Sequence, residues 1–333
     1  GYPAPDISWL SHPFDGQPMN NSTPFVETRA IRWLEQNASR DFFAWVHFFD
    51  PHLPYMPPPD YEPEMERPRG VAKAIVGHPD TVRAKTPDQR RWVEELYRGE
   101  VRSTDASVGR VVATMKKLGI YDEALIIITA DHGEELWEHG KTGHGHSLYE
   151  ELVHIPLVVK LPASMGRPGP DSRDGTRFRH EVVDVPVSQA GIMPMVLDLV
   201  GIEDYDPAHR DTSLTPFVIP GTGQRPRAEI FSWVMVQKNP WEAVIFDGMK
   251  YIHRSAEGIE ELYDLEQDPQ EQNNIAGSDS KNLKKGRELL DEHHERAATI
   301  RDELGIEIQK KEILLDQKTR EELQALGYLD PSS

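Results

Sequence analysis

ALIIITADHGEELWEHGKTGHGHSLYEELVHIP, residues 124–156, is the stretch whose reading sets the fold. A mostly apolar run, Ala124 to Ala130, ends in an acid, Asp131, followed at once by His132 and Gly133. Such a run, bounded by polar residues, predicts a fully buried parallel strand. In open α/β sheets ligands bind outside the carboxyl ends of the strands, which is where Asp131 and His132 fall. His139, Lys141, His144 and His146 follow before a second apolar strand, Ile155 to Leu161. A carboxylate and imidazoles at a strand end, with more cationic groups close behind, point to a metal site that handles an anion.

Upstream of that strand, Thr86-Pro87-Asp88 opens a helix running to about Leu118. Val93, Tyr97, Val101, Thr104, Val108, Val111, Met115 and Leu118 recur at three- and four-residue steps and predict its buried face. Gly119 stands where a left-handed cap is wanted. Helix and strand together make a crossover unit of a parallel sheet. Further back, Phe42 to Phe49 (FFAWVHFF) predicts a buried strand ending in Asp50-Pro51-His52, a second acid–imidazole cluster at a strand's carboxyl end. Thr23 is the expected N-cap of a helix over Pro24–Ser39, and Met56 to Thr86 reads as a long, proline-rich surface loop.

Downstream, Met165 to Arg179 is a Gly/Pro/Arg loop, and Met195, Val196, Leu199 and Val200 mark a short helix stopped by Gly201. From Ala228 the pattern changes to short strands: Glu229–Val236, Trp241–Phe246, Lys250–His253 and Glu261–Leu265, with a hairpin turn at Asp247-Gly248. The expected organisation is an α/β domain over residues 1–224, a small antiparallel sheet over 225–277 and charged helices over 278–333. No internal repeat is visible.

Composition bounds the function. Hydrophobic content of 38% over 333 residues describes a globular protein with room for one large domain or one domain plus an appendage. No apolar run approaches the roughly 18 residues that span a bilayer. A net charge of −19 argues against nucleic acid or an anionic membrane as partner. Any anionic substrate must then be drawn in by a local site. With no cysteine, thiolate and disulfide chemistry are excluded within this chain. A chain that starts at Gly1, with no signal-peptide pattern, is expected to be a fragment or a processed product.

Each candidate residue has a plainer alternative. Asp131 and His132 suit a divalent ion, yet Asp before His-Gly is also good turn chemistry. His52 can protonate a leaving group or bond an oxyanion, or can simply brace the Asp-Pro-His-x-Pro-Tyr turn. His47, inside the expected strand, reads as a core histidine. His144 lies between Gly143 and Gly145, where backbone can approach a ligand closely. It comes just before a helical turn announced by the capping-box pattern Ser147-Leu-Tyr-Glu150. His139, Lys141 and His146 read as solvated loop residues. Glu134 and Glu135 are outer partners of the site or an acidic surface. No nucleophile with a base beside it is present, and two ligands do not complete a metal centre.

Taken together, these segments resemble the sulfatases of the alkaline phosphatase superfamily. The resemblance rests on Tyr97-Arg-Gly-Glu-Val101 with Asp105, Ala124–Ala130, Asp131-His-Gly-Glu134, His144-Gly-x-Ser-Leu-Tyr-Glu-Glu151 and Ile155-Pro-Leu-Val158. His47-Phe-Phe-Asp-Pro-His52-x-Pro-Tyr55, Glu261-Leu-Tyr-Asp-Leu265 with Asp268-Pro269, and Leu326-Gly-Tyr-Leu329 fit the same family. The match covers nearly the whole chain in the family's order.

The resemblance implies an α/β fold, a mixed sheet flanked by helices, followed by a smaller antiparallel sheet and terminal helices. It implies sulfate-ester hydrolysis, with Asp131 and His132 as half the ligands of one divalent ion, commonly calcium, with manganese or zinc as alternatives. His52 then binds sulfate and protonates the leaving oxygen. His144 occupies the place of a sulfate-binding cation, often Lys in the family, with Lys141 as a helper. An Asp–His pair with a glycine-flanked His is nearer the branch that includes phosphonate and phosphate ester hydrolases. The family's nucleophile, a Cys or Ser oxidised to formylglycine in a Cys/Ser-x-Pro-x-Arg motif, has no counterpart here, and neither has its adjacent Asp pair. The expectation is therefore a sulfatase-type hydrolase lacking its nucleophile segment, which this chain alone does not complete. The alternatives are a phosphate or phosphonate ester hydrolase of the same superfamily, or a non-catalytic truncated protein. Relatives that work in the periplasm or outside the cell make those compartments an expectation by resemblance only. Gly191 and Met195 stand where the family has Asp and Thr around a helix-starting Pro, which implies an N-cap weaker by about 1 kcal/mol.

Overall fold

The computed structural model describes residues 22–73, 84, 86–165, 181–205, 209, 212–219, 222, 228–236, 239–303 and 305. The terminal Leu326–Leu329 segment, the 166–179 loop and the later part of the charged C-terminal helices lie outside the described residues. The fold is mixed α/β, and two compact units interleave along the chain. The first comprises residues 1–126, 140–143 and 160–178, the second 127–139, 144–159 and 179–333.

The first unit packs helix α1 (Thr23–Asn37) on the long helix α2 (Pro87–Lys117). Helix α2 starts with a capping box in which Thr86 and Gln89 each accept the other's backbone N–H. It ends in Gly119 at φ 71°, as its sequence predicts. Helix α1 starts one residue earlier than expected and has no local cap. Its Thr23 N–H donates instead to the carboxylate of Asp50, 2.8 Å away. The Asp of the Asp-Pro-His turn therefore serves as a long-range cap, which fixes that turn against the helix.

The buried face of α2 differs from the expected valine stripe. Trp92, Val93, Leu96, Gly99, Glu100, Ser103, Ser107 and Met115 are buried, while Val101 is exposed. Small residues win because the neighbouring chain comes so close: a Cβ on Gly99 would sit 2.4 Å from the Tyr61 carbonyl oxygen. The predicted strand Phe42–Phe49 is a second correction. These residues form no regular element and belong to no sheet among the described residues, with Phe43 77% and Trp45 63% exposed. His47 is exposed with them, so it is no core histidine.

Glu100 is 2% exposed and accepts the Met56 N–H at 2.6 Å. Its other oxygen, Oε2, is buried with no hydrogen-bond partner. Burial, then the nearby Asp50 carboxylate, push its carboxyl up to about 8, opposed by the Met56 N–H. The folded chain thus holds a proton that the unfolded chain releases near 4.5, so stability falls as pH rises from about 4.5 through about 8. Glu100→Gln keeps an acceptor for Met56 and removes the charge. It is expected to stabilise the protein by about 1–3 kcal/mol at pH 8, with the gain vanishing toward pH 4. Thermal melts of both proteins across that range check this, and equal melts at pH 8 would refute it.

The second unit carries the strand-end site and the antiparallel sheet. Strand β1 (Ile126–Thr129) pairs with β4 (Leu157–Lys160). Both are shorter and less buried than expected; Ile128 and Val158 are exposed. Between them in the chain come the two-residue strand β2 (Glu135–Leu136), the two-residue strand β3 (Thr142–Gly143), which belongs to the first unit, and one helical turn, α3 (Glu150–Val153). Helix α4 (Ile192–Leu199) follows Gly191, which gives no side-chain cap. A Cβ on Gly191 would lie 2.3 Å from the Thr212 carbonyl oxygen, so close packing there excludes the Asp of the resembling family. The short helix α5 is Thr215–Val218.

Strands β5 (Ile230–Val236), β6 (Asn239–Phe246), β7 (Met249–Arg254) and β8 (Ile259–Asp264) form an antiparallel meander in that order. Asp247 and Gly248, at φ 46° and 75°, make the β6–β7 turn, as the Asp-Gly signal predicts. Both faces are covered, following the two-residue alternation of the strands. Val244, Phe246, Met249, Tyr251 and Leu262 face helix α6 (Ser280–Glu303) through Leu290. Trp241, Ala243, Ile252 and Tyr263 face Leu148 and Tyr149, the residues just before α3. One side of this sheet therefore floors the segment that carries His144.

Candidate active site

The second unit assembles the site at the end of β1. Gln189 donates its side-chain amide to the carbonyls of Ala130 (2.6 Å) and Asp131 (3.3 Å), bracing the strand end. The His132 N–H donates to Asp131 Oδ1 at 3.0 Å, and His132 Nδ1 bonds the Gly133 carbonyl at 2.8 Å. The Gly133 N–H donates to the Leu152 carbonyl of α3. A Cβ at Gly133 would stand 2.0 Å from the Glu151 carbonyl oxygen. Glycine after the Asp–His pair is thus required by the close passage of α3.

His144 comes to the same place. Its ring lies over that of His132, centroids 4.1 Å apart and planes at 31°. Nδ1 of His144 is 2.9 Å from Oε1 of the buried Glu134, which orients the imidazole. On either side, Gly143 and Gly145 adopt φ of 88° and 77°, a left-handed conformation that glycine takes without strain. His146 and the buried Glu135 form a parallel pair, Nε2 to Oε2 at 2.6 Å.

His132 Nδ1 donates to a carbonyl, which leaves Nε2 as the ligating atom of the ring. Nε2 is 3.7 Å from Asp131 Oδ2, and the Asp131 side chain is 66% exposed. Two donors on one ion at about 2.4 Å and a right angle stand about 3.4 Å apart, so the pair fits two neighbouring corners of a divalent-ion site. Among the described residues no group of three or more His, Asp or Glu converges as a metal site.

His52 and Lys141 belong to the first unit. His52 is half-buried, with Nδ1 2.7 Å from the Leu53 carbonyl, its N–H on the Phe49 carbonyl, and its ring 4.6 Å from that of Phe49. Lys141 is exposed. The structure thus gathers Asp131, His132, Glu134 and His144, and describes His52 and Lys141 separately.

Sequence reasoning missed three features. His139 and His146 are not solvated loop residues: each pairs with a glutamate, His139 with Glu151 at 2.7 Å. Gln189 carried no signal, being a lone amide in a loop. The capping box at Ser147 does not form; Ser147 Oγ is buried without a hydrogen-bond partner, and Tyr149 is the residue before α3.

The sulfatase family model matches residues 7–202 of the chain. The multifunctional alkaline phosphatase superfamily protein PehA of Trinickia caryophylli is 28% identical over 305 residues, 78% of this chain and 56% of that protein. An ulvan-active sulfatase of Formosa agariphila is 25% identical over 303 residues, 82% of this chain and 54% of its own. The chain spans about half the length of these curated relatives. Among solved structures, the phosphonate monoester hydrolase of Agrobacterium radiobacter shares the fold, with a TM-score of 0.63 at 24% identity over 84% of this chain and 60% of that one.

Proposed function

This chain belongs to the sulfatase family, and from that premise we propose that it is the metal- and sulfate-binding part of a sulfuric ester hydrolase whose nucleophile lies outside these residues. The observation that carries the reading is the tilted His132–His144 ring contact at the end of β1, with Asp131 beside His132 and Glu134 bonded to His144. Asp131 and His132 would hold one divalent ion, calcium first, with manganese or zinc as alternatives. Such an ion supplies Lewis acidity toward the sulfuryl oxygens. His144, with Nδ1 engaged by Glu134, offers Nε2 to a sulfuryl oxygen and balances its developing charge. By resemblance to the family, His52 would give its proton to the departing alcohol oxygen as the S–O bond breaks, and Lys141 would add positive charge near the sulfate; both roles rest on the sequence motifs alone. The attacking oxygen would come from a formylglycine hydrate, or a Ser or Thr, in the part of the relatives' length that this chain does not span. No described helix is long and apolar enough to cross a membrane.

A second reading, a phosphate or phosphonate ester hydrolase, is favoured by the fold shared with a phosphonate monoester hydrolase. A panel of aryl sulfates, phosphates and phosphonates, assayed on the protein as its host produces it with its intact mass measured, separates the two. The expected result is a mass above 37.9 kDa and sulfate turnover exceeding phosphate turnover. Turnover of phosphorus esters alone would establish the second reading, and no turnover of any ester would overturn both.

A further inference from the structure

We infer that Glu271 and Lys250 of the C-terminal sheet region are positioning residues for the strand-end site, clamping both ends of the loop that carries His144. The inference deepens the hydrolase reading and rests on it for its kinetic consequence, while its structural content stands on contacts within one unit.

Helix α3 has no cap of its own: Tyr149 supplies none and Ser147 is unpaired. Its first N–H, that of Glu150, donates instead to Glu271 Oε2 at 2.6 Å. The Glu150 carboxylate takes Lys250 Nζ at 2.9 Å, and the same Nζ is 2.9 Å from Glu271 Oε1, an ionic contact off the hydrogen-bonding direction. Lys250 and Glu271 side chains are 1% and 0% exposed, so these attractions are barely screened. A buried pair of this kind contributes little net stability but costs heavily when one partner is removed. Specifying one arrangement is the use it serves best.

The same residue holds the other end of the loop. Glu271 sits at φ 54°, and its carbonyl oxygen is 3.0 Å from His139 Nε2. His139 Nδ1 bonds Glu151, and its ring stacks on Tyr149 with centroids 3.6 Å apart and planes at 11°. With an acceptor at each ring nitrogen, His139 fits the doubly protonated form, and its pKa is raised by the Glu271 carbonyl and Glu151 against the opposing effect of burial. Tyr149 donates to Glu261, which also receives Tyr263 and Arg254, so the residue before α3 is tied to strands β7 and β8 as well. The chain from His139 to Glu150 thus leaves and returns to one turn, and His144 lies between. At the far side of α3, the Leu152 carbonyl holds the Gly133 N–H, so a shift of α3 also moves the Asp131–His132 turn.

Misplacing a catalytic group by about 1 Å can cost about 100-fold in rate. Glu271→Ala in the whole protein is therefore expected to lower kcat about 10-fold or more with KM within about twofold. Amide exchange at residues 144–153 should speed up about 10-fold, and exchange in β6 should not change. Glu271→Gln keeps an acceptor for the Glu150 N–H and should recover most of both losses, which a general loss of stability would not permit. Lys250→Met should loosen the same residues. If Glu271→Ala is recovered only unfolded, the comparison of Glu271→Gln with wild type decides: some loosening confined to 144–153 is expected, and none overturns the clamp. Unchanged exchange there in folded variants, or a rate loss carried by KM alone, also overturns it. A wild-type protein that turns over no ester defeats the hydrolase reading by itself, and the exchange result still decides the clamp.

Discussion

Asp131→Ala in the whole protein is expected to lower kcat/KM by roughly 10³-fold while leaving the thermal transition within about 2 °C. Removing one charge-stabilising partner of the transferred group removes several kcal/mol of transition-state stabilisation, and about 4 kcal/mol is roughly a factor of 10³. The small structural cost follows from where the side chain sits. Its carboxylate is 66% exposed, and its one backbone hydrogen bond goes to its own neighbour, the His132 N–H. The strand end is held by other atoms, Gln189 on the Ala130 and Asp131 carbonyls and Gly133 on Leu152. Asp131→Asn sharpens the test, because it retains an oxygen ligand without the charge. Calcium or manganese affinity by titration calorimetry should fall by at least tenfold for Asn and further for Ala, in step with the rate. Wild-type turnover in Asp131→Ala would remove Asp131 from the chemistry and the hydrolase assignment with it.

The position of the Asp131–His132 pair just past a strand was legible because an apolar run names a strand, and a polar residue at its carboxyl end marks a candidate site. Gly133 completes the signal for a reason that only the structure supplies, the passage of Glu151 within 2.0 Å of where its Cβ would be. The Asp-Gly turn and the start of α2 at Thr86-Pro87 were legible because both are signalled by residues three or fewer apart, whereas the capping box expected at Ser147 did not form. Phe42–Phe49 shows the limit. Apolarity records that side chains avoid water without recording which segment covers them, and no described strand pairs with this one. The face of α2 failed differently: Gly99, Ser103 and Ser107 are buried because space is short, which a hydrophobic pattern does not register. The clamp on α3 was illegible for the plainest reason, since His139 and Glu271 are 132 residues apart and no local spacing joins them.

That last distinction matters for His144, whose role is set by a partner close in sequence and a scaffold far from it. His144→Ala is expected to lower kcat by about 10²- to 10³-fold, the range found for removing one preorganised donor to a developing oxyanion. Glu134→Gln should cost less, about tenfold, because an amide oxygen in place of Glu134 Oε1, which lies 2.9 Å from Nδ1, can still accept from the ring and orient it. The difference separates binding from orientation. If His144 meets the sulfuryl group directly, its loss falls on kcat, whereas loss of the Glu134 carboxylate loosens the orientation of the ring and leaves the contact itself in place. His144→Lys restores a cation beside Glu134 and is expected to regain at least tenfold over Ala, for Lys is the residue the family often places there. Both variants must first show wild-type far-UV dichroism, since the half-buried His144 ring also supports His132 at 4.1 Å. A folded His144→Ala protein with kcat within threefold of wild type would reduce His144 to a spacer over His132, and the sulfate-binding role would have to pass to Lys141.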